Sequence, residues 1–331
     1  MFKKILAPLD GSSLAECVLP HVTSMATACR AKVTLLQVVE GLSTPDPLAC
    51  QMRRAEAQSY LEEARCRLAD AGVRVQTLLL EGSVARRIVE YAGTERFDLV
   101  VMSTHGRGGL QPWSAGSVAQ KVIQGLRTSL FLVRAFEVQA TERRELLERS
   151  KVRRILLALD GSQRAEAALP YAAMLADRWG AELLLAHIVA RPACFRSAPC
   201  AGESATIAEQ LVQRNALEAR DYLHRLQGRL SVRSRVRVSV GSNVMLGLHE
   251  LAQKEDADLI VTSAHGQGCN RRHRYGSVAT ETILYGSAPL LVFQDMQPEQ
   301  MEATAVERWV RNSEKLGRWQ PVEKSRINAF L

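Results

Sequence analysis

Residues 3–22 read KKILAPLDGSSLAECVLPHV, and residues 153–172 read RRILLALDGSQRAEAALPYA. Each stretch opens on two basic residues, runs through a short apolar segment and turns at Asp-Gly-Ser before a helix-patterned segment. A second pair of stretches follows in the same order. DLVVMSTHG (98–106) answers DLIVTSAHG (258–266), and Gly116-Ser117-Val118-Ala119 answers Gly276-Ser277-Val278-Ala279. Signatures that recur in order define a duplicated unit of about 140–150 residues, which is one compact domain rather than a solenoid repeat.

Working outward from these stretches, apolar runs of strand length alternate with helical spacing. Ile5–Leu9, Val33–Val39, Val73–Leu80, Leu99–Ser103 and Ser129–Val133 read as strands; 13–31, 55–71, 84–93 and 118–125 read as helices. Continuous apolar strands alternating with helices predict a parallel sheet covered on both faces, hence two tandem doubly wound five-stranded α/β domains. VRSRVRV (232–238) differs, because Arg233, Arg235 and Arg237 alternate with smaller residues. It reads as an edge strand with one polar face, with a phosphate-binding rail as the alternative. The expected limits are a first domain over 1–136, a charged linker over 137–150, a second domain over 151–294 and an extension over 295–331. Val306, Trp309 and Val310 share a helical face in that extension.

The 331 residues include 43 Lys and Arg against 35 Asp and Glu, for a net charge of +8, with 47% apolar and 24% charged residues. Disorder and low complexity are excluded as the general architecture. No apolar run approaches the roughly 18 residues of a membrane span, and Asp10 ends the N-terminal apolar run too early for a secretory signal. The seven cysteines form no CxxC pair; reduced thiols and a cytoplasmic location fit them, with no membrane partner. Positive charge invites nucleic acid, yet aromatics are only 5% and no nucleic-acid motif accompanies the charge, so no specific nucleic-acid partner is expected.

In a parallel α/β sheet, ligands bind beyond the carboxyl ends of the strands. Both signatures sit at such ends. Asp10-Gly11-Ser12 and Asp160-Gly161-Ser162 follow a first strand and open a helix, and the Ser-Thr-His-Gly of 103–106 leads by a loop to Gly116-Ser117 at the next helix start. Glycine lets backbone N–H groups approach phosphate, and a helix N-terminus favours the anion. His105 and His265 read as turn residues rather than catalytic bases, because no sequence feature supplies a fixed acidic partner.

On these residues both halves resemble the universal stress protein family in its tandem two-domain form. Nucleotide-binding members carry a G-x₂-G-x₉-G-[S/T] loop. Here Ser103-Thr104-His105-Gly106 is followed after nine residues by Gly116-Ser117, and Ser263-Ala264-His265-Gly266 after nine by Gly276-Ser277. The spacing is kept and the first glycine is serine in both. The resemblance implies an adenine nucleotide alpha hydrolase-like fold, with the halves related by a pseudo-twofold axis and their last strands paired antiparallel. It also implies an adenine nucleotide ligand such as ATP, with or without Mg²⁺. It places Asp10 and Asp160 against the nucleoside and Val38 and Ile188 along the adenine, with Pro8 beside them in the first half and Ala158 in the second. The second loop also packs Arg271, Arg272 and Arg274 around His273, a candidate polyphosphate clamp. No metal ligand set and no catalytic residue is assigned.

The function expected is therefore ATP binding used as a stress-response signal. The alternatives are a nucleotide-independent interaction or scaffold module of the same fold and a slow ATPase; the partners expected in any case are the intramolecular pseudo-dimer of the two halves and, beyond it, a homodimer. No P-loop GxxxxGK[ST] is present.

Overall fold

The computed structural model describes residues 2–40, 47–106, 116–135, 151–191, 203–268 and 273–296. The first half runs β1 Lys4–Leu9, α1 Ser13–Glu16, α2 Leu19–Cys29, β2 Lys32–Val39, α3 Pro47–Asp70, β3 Arg74–Glu81, α4 Val84–Thr94, β4 Leu99–Ser103, α5 Ser117–Gly125 and β5 Ser129–Val133. The second half repeats it with β6 Arg154–Ala158, α6 Gln163–Glu166, α7 Leu169–Trp179, β7 Glu182–Ala190, α8 Glu203–Gln227, β8 Ser234–Gly241, α9 Val244–Lys254, β9 Leu259–Ser263, α10 Ser277–Tyr285 and β10 Leu290–Phe293.

The strands form one sheet in the order β3-β2-β1-β4-β5-β10-β9-β6-β7-β8. Pairing is parallel within each half. Alternate residues of each strand enter separate cores on the two faces. Ile5, Val33, Leu35, Leu99 and Val101 pack on one side with α1–α3, whereas Leu6, Leu36, Val100 and Met102 pack on the other with α4 and α5. A strand buried on both faces has no polar register to show, which is why these runs are continuously apolar.

The helical stretch after β1 is interrupted rather than single. Ser12 caps the short α1, and Pro20 stands in the first turn of α2, where its missing N–H has no helical partner to lose. The linker and nearly all of the extension, including Trp309, lie outside the described residues, as do Cys194, Cys200 and Cys269.

The halves meet through β5 and β10, which pair antiparallel with Phe131 opposite Leu291, Leu130 opposite Val292 and Leu132 opposite Leu290. Each last strand thus covers the edge of the other. Tyr171 stacks on Phe293 with ring centroids 4.2 Å apart, and His21 meets the edge of Phe131 at 5.5 Å. Arg134, just past β5, donates to the carbonyls of Thr282 (2.6 Å) and Ile283 (2.8 Å) at the C-terminal end of α10. A cation there complements the helix C-terminus, where the Thr282 carbonyl also accepts from the Gly286 N–H at 2.9 Å.

The arginine-striped strand β8 is an outer strand of the sheet, but its arginines are not a free rail. Arg235 (2.5 Å), Arg233 (3.2 Å) and Arg154 (3.4 Å) converge on the buried Glu182, while Arg237 pairs with Glu255 at 2.6 Å.

Candidate functional site

Within each half the chain leaves β1 or β6 toward one sheet edge and returns to β4 or β9 on the other side, so a crevice opens at the carboxyl ends between them. The Asp-Gly-Ser turn forms its floor. Asp10 Oδ1 accepts from the Ser12 backbone N–H at 2.9 Å and from the Ser12 hydroxyl at 2.6 Å, and Ser12 Oγ in turn caps α1 through Ala15 N at 3.2 Å. Gly11 takes φ +82° between them, a conformation glycine adopts without penalty. The second half repeats the turn with Asp160, Gly161 (φ +85°), Ser162 and Ala165.

Gly106 lies directly against Asp10. A β-carbon built on Gly106 would overlap Asp10 Oδ2, and one on Gly266 would overlap Asp160 Oδ2 in the same way. The glycine is therefore required by the carboxylate beneath it, a reason the sequence did not show. Gly116 N–H donates to Thr104 O at 2.8 Å, closing the loop onto β4, and the first turn of α5 behind it has no side-chain cap. Residues 116–120 at this helix start line the crevice, and the first-turn N–H groups of a helix have no partner within it.

Serine in place of the first loop glycine introduces no backbone strain. The positive-φ non-glycine positions among the described residues are Arg30, Arg96 and Asp256. Ser103 Oγ donates to the His105 carbonyl at 2.6 Å, and Ser263 Oγ is buried without a partner.

In the first half these parts surround an open cavity of about 1040 Å³. Pro8, Asp10, Val38, Ser103, Gly106, Gly116 and Ser117 all line it, so the structure brings the first-half candidates together. It adds residues the sequence did not single out: Gln37 from β2, Arg53, Glu56 and Tyr60 from α3, and Ile88 from α4. No local motif marks these: Gln37 lies inside a buried strand, and the others come from helices whose sequence carries no signature of a site.

The second-half counterparts occupy matching places with different surroundings. Asp160 Oδ2 accepts from the Gln267 backbone N–H at 2.8 Å, and the Gln267 side chain donates to Asp160 O at 2.6 Å. Ile188 is buried under α9, where a β-carbon on Gly247 would come within 3.0 Å of it. Gly276 N–H donates to Ala264 O at 2.7 Å, with Ser277 beginning α10. Arg271 and Arg272 lie outside the described residues. Arg274 is buried.

His265 does have a fixed acidic partner. Its Nδ1 lies 2.8 Å from Asp295 Oδ1, its backbone N–H donates to the same oxygen at 3.1 Å, and its Nε2 meets the His273 carbonyl at 2.9 Å. Arg164 holds Asp295 Oδ2 at 2.6 Å. Burial alone would depress the imidazole, but the Asp295 carboxylate and the His273 carbonyl overcome it and hold the ring above its usual range. Both ring nitrogens face acceptors, so the imidazolium satisfies the site and neither nitrogen is left to act as a base. Asp295 was placed in the extension by sequence; the packing of the second half continues through it. In the first half His105 Nδ1 instead meets Thr104 Oγ1 at 3.0 Å, and its Nε2 is buried without a partner.

Comparison with known proteins agrees with this architecture. The model of the universal stress protein family matches residues 1–134 and again 151–294. A universal stress protein of Methanocaldococcus jannaschii is 32% identical over 141 residues, covering 40% of this chain and 83% of that protein. One from Mycolicibacterium smegmatis is 25% identical over 301 residues, covering 87% and 96%. The crystal structure of a universal stress protein from Archaeoglobus fulgidus superposes with a TM-score of 0.63 at 17% identity over 88% of this chain and 98% of that one, which shows a shared fold. With the family signature matched in each half and the two halves joined through β5 and β10, the chain belongs to the universal stress protein family as a tandem two-domain member.

Proposed function

We propose that the first half binds an adenine nucleotide, ATP or a close relative, and that the chain acts as a nucleotide-responsive regulator rather than a fast enzyme. The observation that carries this reading is the open cavity at the switch point between β1 and β4. It places an apolar wall (Val38, Ile88), a fixed carboxylate (Asp10) and an uncapped helix start (Gly116, Ser117) around one space. A base packs on the wall, ribose hydroxyls reach the carboxylate, and phosphates meet the α5 N-terminus.

Among the described residues, no group of three or more His, Cys, Asp or Glu side chains could hold a metal ion. In this reading Mg²⁺ arrives on the nucleotide's own phosphates. Signalling then requires only that the nucleotide bind two conformations of the chain with different affinity. Arg134 offers a route between halves, because it leaves the end of β5 and grips α10.

Mass analysis of small molecules released from gently purified protein, followed by thermal unfolding with added ATP, tests the proposal. Co-purifying adenine nucleotide, or a rise in Tm with ATP, supports it. Neither effect, at ATP concentrations up to the millimolar range, leaves a nucleotide-independent interaction module.

A further inference from the structure

Gln37 is a buried residue of the cavity wall with an acceptor left unused. It sits near the end of β2, in register between Leu9 of β1 and Leu79 of β3. The residue is 5% exposed, it lines the first-half cavity, and its Oε1 has no hydrogen-bond partner. Strand alternation puts Gln37 on the same face as Leu35, toward α3, whereas Val38 shares the face of Leu36, toward α4. The cavity therefore wraps the end of β2, with an apolar surface on the α4 side and, on the α3 side, the Gln37 amide beside Arg53, Glu56 and Tyr60. Buried amide oxygens are almost always paired. One that lines a ligand-sized space calls for a donor from the ligand.

The phosphate end of the site is already placed by the α5 N-terminus, whose donors repel no anion. An unpaired carbonyl oxygen is the wrong group for phosphate and the right one for an amine. The exocyclic amine of adenine is such a donor, and a glutamine amide pairs with that amine and the adjacent ring nitrogen in bidentate fashion. The matching position of the second half is His187, so this reader belongs to the first half alone.

Resting on the nucleotide reading above, we propose that Gln37 is the specificity-determining residue for the base. Its Oε1 accepts from the 6-amino group of adenine, and the site thereby distinguishes an aminopurine from a purine without that group.

The test is calorimetric titration of the full chain with ATP and with purine riboside triphosphate, which lacks only the 6-amino group. Wild type should bind ATP roughly ten- to hundredfold more tightly than the analogue. Gln37→Leu should bind both with equal affinity, while Gln37→Glu, which keeps an acceptor, should still prefer ATP. A preference that survives unchanged in Gln37→Leu overturns the role of Gln37 and leaves nucleotide binding intact. Equal affinities in the wild type, with tight ATP binding, overturn it likewise. Absence of ATP binding to the wild type overturns both proposals. Should Gln37→Leu fail to fold, Gln37→Glu decides the matter: loss of the preference there contradicts the acceptor role.

Discussion

The α-carbon of Gly106 sits so close to the carboxylate of Asp10 that a β-carbon on the glycine would overlap Oδ2. Two residues 96 positions apart in sequence but adjacent in space thus set each other's identity, and Gly266 with Asp160 repeats the relation. Gly106→Ala must displace Asp10 and break its bonds to the Ser12 N–H and hydroxyl. The expected result is a loss of about 1–2 kcal/mol of stability together with loss of first-half ligand binding. Denaturant unfolding and ligand titration on the same preparation check this; wild-type values in both would show that the carboxylate moves aside freely.

Arg134 adds a cationic contact between the halves beyond the strand pairing. Burial lowers its pKa to about 10, still charged at neutral pH. Arg134→Met removes both donors from the Thr282 and Ile283 carbonyls, and about 1–3 kcal/mol of stability should go with them. Unfolding followed separately in each half should show the second half, whose helix end loses its partner, responding as strongly as the first.

Two histidines give the stability curve opposite slopes. Burial lowers His21 from 6.5 to about 4. Between those values the unfolded chain takes up a proton the folded chain refuses, so stability falls by up to about 3 kcal/mol as pH drops through that window. His21→Leu should flatten that fall. His265 is raised instead; its contribution is complete below about 6.5 and is lost as pH rises through the folded value. His265→Gln should flatten the alkaline side. Chemical denaturation across pH 4–9 reads both slopes, and an unchanged acid limb in His21→Leu would contradict the first assignment.

Thiol reactivity should divide by burial. Cys66 is exposed, whereas burial pushes Cys17 up to about 12 and Cys29 up to about 11. Alkylation at pH 8 with peptide mass mapping should label Cys66 and spare Cys17 and Cys29 until the chain is unfolded. Rapid labelling of Cys17 in folded protein would contradict the packing of the first core.

Much of this was legible in the sequence because each informative residue is local to a strand end. Asp10, Gly106 and Gly116 lie in short segments that recur in order, so the repeat exposes them. The antiparallel pairing of β5 with β10 was what the family resemblance implied, and it covers the edge that each last strand would otherwise expose. What stayed hidden depends on contacts between distant segments. Asp295 reaches His265 across 30 residues with no motif to announce it, and Arg134 grips a helix of the other half. Gln37 passed unmarked inside Val33–Val39, a stretch that reads as one apolar strand. The reason for Gly106 was also invisible, since a glycine required by a neighbouring carboxylate and one required by a phosphate look the same in sequence.

The most direct test of the central claim is calorimetric titration of ATP into wild type, Asp10→Ala and Asp160→Ala, each checked for folding by its unfolding transition. The account predicts saturable binding to wild type, loss of binding in Asp10→Ala, and retained first-half affinity in Asp160→Ala. Binding that is lost in Asp160→Ala and retained in Asp10→Ala, or no binding to wild type at all, would contradict it.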